Sequence, residues 1–170
     1  MAGAVAAPVP RRQRGLPPAV DARTRVLVLG SFPGVASLAA SQYYAHPRNH
    51  FWPILAQILG EPLAALPYEQ RLQRVNARGI GLWDTIVACH RKGSADGAIR
   101  LAERGNVERV SRVARSLAVV CFNGNTAAAG AAIWQAAGYE TLALPSTSPA
   151  YTRPFAEKLA AWRALERWLR

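Results

Sequence analysis

The runs RVLVLG (25–30) and SLAVVCFNG (116–124) constrain this chain most. Each is short, apolar and rich in β-branched residues, and each ends in glycine or asparagine. That is the pattern of a buried strand opening into a tight loop. YETLALPSTSPAY (139–151) repeats it, and a shorter strand or turn falls near Leu82–Trp83. Helical patterns lie between: HFWPILAQILG (50–60), with Pro53 tolerated in its first turn; YEQRLQRVNAR (68–78); and NTAAAGAAIWQAAG, stopping at Gly138. The closing RPFAEKLAAWRALERWLR places Phe155, Leu159, Trp162, Leu165 and Leu169 on one face. Strands alternating with helices predict an α/β fold, a single three-layer α/β/α domain around a mainly parallel central sheet. In such sheets ligands bind outside the carboxyl ends of the strands. GSFPG, FNGN and LPSTSPAY should therefore converge on one cleft, with QYYAHPRN over it and 91–97 as a polar loop.

Charge decides which partners suit such a cleft. The net charge is +11, and Lys92 and Lys158 are the only lysines, so the excess is arginine. This balance suits a polyanion such as nucleic acid, although arginine and alanine richness also follows from a GC-rich genome. Arginines at 71, 74 and 78, and at 100, 104, 109, 112 and 115, recur at helix-like spacings, some as solvated faces. MAGAVAAPVPRRQRGLPP does not resemble a signal peptide, because its arginines follow the mildly apolar part. Residues 1–15 are expected to be a disordered basic arm, with an accessory nucleic-acid arm as the alternative, and 16–170 one folded domain. No apolar run is long enough to span a membrane. Cys89 and Cys121 sit in apolar settings and read as buried thiols of a cytosolic protein. Three histidines and three aspartates without HxH, HExxH or CxxC spacing give no metal site, and no cofactor is expected.

Several segments carry polar chemistry. GSFPG lacks both the dinucleotide fingerprint and the Walker ending. Its glycines instead offer close backbone approach at Gly30, Ser31 and Phe32, to a base edge or a water, with a plain structural turn as the equal alternative. Ser146, Thr147, Ser148 and Arg153 of LPSTSPAYTR are of the type that positions phosphate, again against a plain turn. Arg91 and Lys92, in CHRKGSADGAIR, read as nucleic-acid backbone contacts. In QYYAHPRNHFW (42–52), Pro47 keeps His46 out of a helix, so the stretch is a loop to Arg48 before a helix begins. Neither His46 nor His50 has a nucleophilic serine or cysteine in a known arrangement.

LGSFPG, QYYAHPRNHFW, GIGLWD, CFNG and LPSTSPAY, in that order, resemble the hypoxanthine-DNA glycosylase family, a branch of the uracil-DNA glycosylase superfamily. The resemblance runs from about Leu16 to the C-terminus and extends to the mismatch-specific uracil/thymine glycosylases. It implies a monofunctional glycosylase of base excision repair that flips a deaminated base, hypoxanthine and also uracil or xanthine, out of DNA. The alternative is a nucleic-acid-binding module that kept the fold and lost the chemistry. The resemblance implies Asn49 as the catalytic group, Tyr44 as the aromatic stacked on the base, and Gly30, Ser31, Phe32, His46 and Asn123 as base-binding. Arg48, Ser146, Thr147, Ser148, Arg153, Arg91 and Lys92 would bind DNA. Phe32 departs from the mismatch-specific pattern, which has an asparagine there to orient water, and from branches with aspartate in that loop. Asn49 could alternatively cap the helix beginning at His50, and both roles can coexist. The expected setting is a monomer in a bacterial cytosol, associated with the nucleoid and needing no membrane.

Overall fold

A computed structural model describes residues 6–169. The strands are β1 (Arg12–Arg14), β2 (Val26–Gly30), β3 (Ile80–Asp84), β4 (Ile86–His90), β5 (Arg100–Arg104), β6 (Val119–Asn123) and β7 (Glu140–Leu144). The helices are α1 (Val35–Ala40), α2 (Phe51–Leu59), α3 (Tyr68–Ala77), α4 (Val107–Ser111), α5 (Asn125–Ala128), α6 (Ala131–Ala136) and α7 (Phe155–Trp162). β3, β2, β6 and β7 form a parallel sheet in that order.

Strand alternation divides the core in two. Val26, Val28, Ile80, Leu82, Val119 and Cys121 pack on one side against α2, α3 and α7, with Phe51, Ile54 and Trp162 fully buried. Leu27, Leu29, Trp83, Val120 and Phe122 face the other way, onto Val110 of α4, Ala127 of α5 and Trp134 of α6. Apolar runs without a polar face are covered on both sides, as a parallel sheet requires. The layered α/β expectation holds.

Three local expectations change. The segment 12–14, expected to be disordered, is a strand: β1 pairs antiparallel with β4, and Arg12 grips Glu103 of β5 with two hydrogen bonds of 3.0 and 2.7 Å. The rest of the arm includes residues 1–5, which lie outside the described residues. Arg100 and Arg104 bound a strand rather than a helix; all five residues of β5 are exposed, so no apolar periodicity marked it. The helix expected over 125–137 is broken at Gly130, where a Cβ would stand 2.5 Å from the Thr85 methyl. That close approach favours glycine, which also weakens a helix. β1, β4 and β5 make a small second sheet beside the first.

Candidate active site

The sheet order reverses between β2 and β6, because β3 flanks β2 on one side and β6 on the other. Loops leaving neighbouring strands in opposite directions open a crevice at such a point. Here a cavity of about 780 Å³ opens where Gly30, Asp84 and Asn123 end β2, β3 and β6. GSFPG, QYYAHPRN, FNGN and LPSTSPAY all contribute to its lining, so the structure brings together the loops that the sequence pointed to.

Its floor holds a residue that sequence reasoning passed over. Asp84 is 5% exposed and lines the cavity, and its Oδ2 is buried without a protein hydrogen-bond partner. Burial pushes its carboxyl up to about 7; the Asp96 charge adds to the rise and Arg91 opposes it. The Tyr44 hydroxyl is likewise buried and has no hydrogen bond of good geometry; burial and the Asp84 charge raise its pKa, opposed by the nearby Asn123 side chain, whose amide is already committed to Thr147. A Cβ on Gly30 would stand 2.5 Å from Asp84 Oδ1 and 3.2 Å from that hydroxyl, so glycine there lets both tips reach the backbone. An acid closing the otherwise apolar run GIGLWD was the available signal.

The loop over the cavity is shaped by its own side chains. Tyr44 adopts φ 55°, a left-handed conformation uncommon outside glycine. Its ring stacks on Phe51 at 3.9 Å between centroids, and Tyr44 lines the cavity. Asn49 lies one residue before the cap of α2, and its Oδ1 accepts the Phe51 N–H at 2.9 Å. A backbone N–H can only donate, so this bond fixes the amide orientation and leaves Nδ2 as a donor in a cavity-lining residue. The helix begins one residue later than expected, at Phe51. His46 Nδ1 accepts the Arg48 N–H, and both side chains are exposed at the rim.

Other candidates hold the walls. Asn123 Oδ1 accepts the Thr147 N–H and its Nδ2 donates to the Thr147 hydroxyl, both at 2.9 Å. The Thr147 carbonyl accepts the His50 N–H at 3.0 Å. Thr147 is thus wholly buried with every polar group engaged, and the expectation that it meets phosphate is corrected. Ser146 and Ser148 line the cavity while accepting the N–H groups of Ser148 and Ala150. Ser31 donates to Asp96 at 2.7 Å, tying the 91–97 loop to GSFPG.

Arg91 is the second correction. It is 2% exposed, bonds the Pro33 carbonyl, and lies 5.0 Å from the centre of the Phe32 ring. It braces the loop from inside, with its guanidinium turned away from solvent. Phe32 is itself buried against Ile86 and Cys89, so its ring is a packing element. Lys92 is exposed away from the cavity, and Arg153 pairs with Glu157 at 2.9 Å on the surface. Lys158 is buried and donates to the Ser148 carbonyl at 3.2 Å; burial and this ammonium hold His50 below the usual histidine range. Among the described residues no three histidine, cysteine or acidic side chains gather as a metal site, and no helix is long and apolar enough to cross a membrane.

A family model described as the Uracil DNA glycosylase superfamily matches residues 17–170. A protein named Hypoxanthine DNA glycosylase from Methanosarcina barkeri is 38% identical over 151 residues, covering 89% of this chain and 96% of its own. One of the same name from Methanosarcina acetivorans is 36% identical over 155 residues, covering 91% and 98%. A solution NMR structure from Methanosarcina acetivorans, provisionally described as a uracil DNA glycosylase, superposes with a TM-score of 0.80 at 36% identity. It covers 92% of this chain and 99% of its own.

Proposed function

The chain belongs to the uracil DNA glycosylase superfamily, and on that premise we propose that it excises deaminated bases from DNA, hypoxanthine first, in base excision repair. The observation that carries the substrate assignment is the pair of unpartnered polar tips on the cavity floor, Asp84 Oδ2 and the Tyr44 hydroxyl. Deamination converts an amino-substituted ring edge into a lactam, an N–H beside a C=O. A carboxylate accepts from that N–H and a phenol donates to that oxygen. Adenine and cytosine present the reverse pattern and would leave buried groups unpaired, which is where large discrimination arises. Hypoxanthine, xanthine and uracil all carry a lactam, and the named relatives favour hypoxanthine.

Breaking an N-glycosidic bond leaves positive charge on the sugar and negative charge on the departing base. Little covalent work falls to the protein, and preorganised polarity does most of it. The Tyr44 ring, held on Phe51, presents its hydroxyl to the base edge rather than its face to the base, while the Asn49 amide, locked by Phe51, donates from Nδ2 to the base or to the attacking water. Gly30, Ser31 and Phe32 border the base; His46, Arg48, Ser146 and Ser148 stand at the mouth, facing the strand. Asn123 acts by holding the loop after β7. Lys92 and Arg153 belong to the outer electrostatic surface, with the protein a monomer on chromosomal DNA. The reaction is hydrolysis alone, since Lys158, the buried lysine nearest the site, is committed to Ser148.

The test is single-turnover cleavage of labelled duplexes carrying deoxyinosine or deoxyuridine, by wild type and Asn49→Ala. Alkali-labile cleavage by wild type, lost in the variant with duplex affinity kept, is the expected result. Tight binding without excision from either duplex would replace the enzyme with the inert binding module.

A further inference from the structure

A second cavity, of about 360 Å³, lies outside the base-excision site. Arg12 and Arg14 of β1, Glu103 of β5, Arg109 of α4, and Val87 and Ala88 of β4 line it. Strand alternation puts Arg12 and Arg14 on one face of β1 and turns Gln13 to the other. Arg12 and Glu103 neutralise each other through their two hydrogen bonds. Arg14 and Arg109 make no ion pair among the described residues, and Arg109 lies 5.7 Å from the centre of the Trp83 ring, so the cavity keeps two guanidinium groups without a paired carboxylate. Glu103 is held below the usual carboxylate range by Arg12 first and by the further charges of Arg14 and His90, so this acid does not protonate to relieve the pair.

Two fork-shaped cations in one concavity fit an oxyanion with several acceptor oxygens. The cavity is also tied to the active site. Gly15, directly after β1, donates to the Val87 carbonyl at 2.8 Å, and a Cβ on it would stand 3.3 Å from the Phe32 ring and 3.5 Å from Pro33. The strand carrying Arg12 and Arg14 thus abuts the GSFPG loop. The family match begins at residue 17, just after this strand and its two arginines.

We propose that Arg14 and Arg109 form a phosphate-binding subsite for the backbone of bound DNA, added to the glycosylase core by the N-terminal strand. The inference rests on the reading of the protein as a DNA glycosylase. Arg12 is a positioning residue, since its pairing with Glu103 sets the strand that presents Arg14.

The experiment measures affinity for a duplex bearing a reduced abasic site across a salt series, with wild type, Arg14→Gln/Arg109→Gln and Arg14→Lys/Arg109→Lys. Each duplex phosphate contact adds about 0.9 to the slope of log affinity against log salt. The glutamine pair should lower that slope by about one, the lysine pair should restore most of it, and the single-turnover excision rate at saturating protein should stay at the wild-type value. An unchanged slope in a glutamine variant with wild-type melting temperature overturns the subsite. So does a slope lost equally in the lysine pair, because that reports altered folding rather than charge. Excision with no slope change would sink the subsite alone; a slope change without excision of any deaminated base would sink the glycosylase reading alone.

Discussion

Asp84→Asn should make the protein more stable and less selective, and the size of the first effect follows from burial. The carboxyl rises from 3.8 to about 7 chiefly because its charged form loses water. That rise corresponds to about 4 kcal/mol between the charged and neutral forms, an upper figure that relaxation around the charge reduces to about half. The sign is fixed by proton counting. Between about pH 4 and 7 the native protein keeps a proton that the unfolded chain has released, so native stability falls as pH rises through that window. The cost is fully present above about 7.

Asparagine cannot ionise and lacks this slope. Urea denaturation of both proteins should therefore give similar stabilities near pH 4, diverging to about 2–4 kcal/mol in favour of the variant at pH 8. A gap independent of pH would refute the reasoning, since it would mean that Asp84 is charged in the native state throughout. At pH 8 the same variant should lose discrimination between deoxyinosine and deoxyadenosine, because its amide can turn either a donor or an acceptor toward the base.

Gly30→Ala drives a methyl group against Asp84 and Tyr44; single-turnover excision of deoxyinosine should fall at least tenfold, with duplex affinity little changed. Asn123→Ala removes both bonds to Thr147; the unfolding free energy should drop by about 2–3 kcal/mol, measured by urea titration. Arg91→Ala uncouples the Pro33 carbonyl and the Phe32 ring, so it should lower the melting temperature while leaving the salt slope of DNA binding intact. Arg48→Ala should do the opposite, reducing that slope by about one at constant melting temperature. Tyr151 is 46% exposed on the cavity rim; if it fills the gap left by the extruded base, Tyr151→Ala should slow excision more from duplex than from single-stranded DNA.

What the sequence carried and what it hid differ in kind. Val26–Leu29 and Val119–Phe122 could be read as central strands because full burial on both faces excludes every polar residue, a local property. The loops at their ends were legible for the same reason: a buried strand must stop where glycine, asparagine or proline appears. β5 and β1 left no such trace. β1 meets β4 far along the chain, β5 meets it across the polar loop 91–99 with shifts of register, and an exposed edge strand carries arginine as readily as a solvated helix does. Arg91 was misread because an arginine in a polar stretch gives no local sign that its guanidinium will fold back beneath Phe32. Thr147 was misread because its partner, Asn123, lies 24 residues earlier.

Asp84 is the instructive case. Asn49 and Tyr44 stand in a loop whose composition announces polar work, whereas Asp84 follows Trp83 at the end of a strand and looks like an ordinary strand exit. Its environment is set by register: β3 pairs with β2 so that Asp84 sits opposite Gly30, the one residue type on β2 that leaves room for its carboxylate. A side chain there would have forced the acid elsewhere. The chemistry of the floor therefore belongs to a pair of residues 54 positions apart, neither of which signals function alone. Burying an unpartnered carboxyl costs stability that folding alone gives no reason to spend, and that cost is the physical argument for a ligand above it.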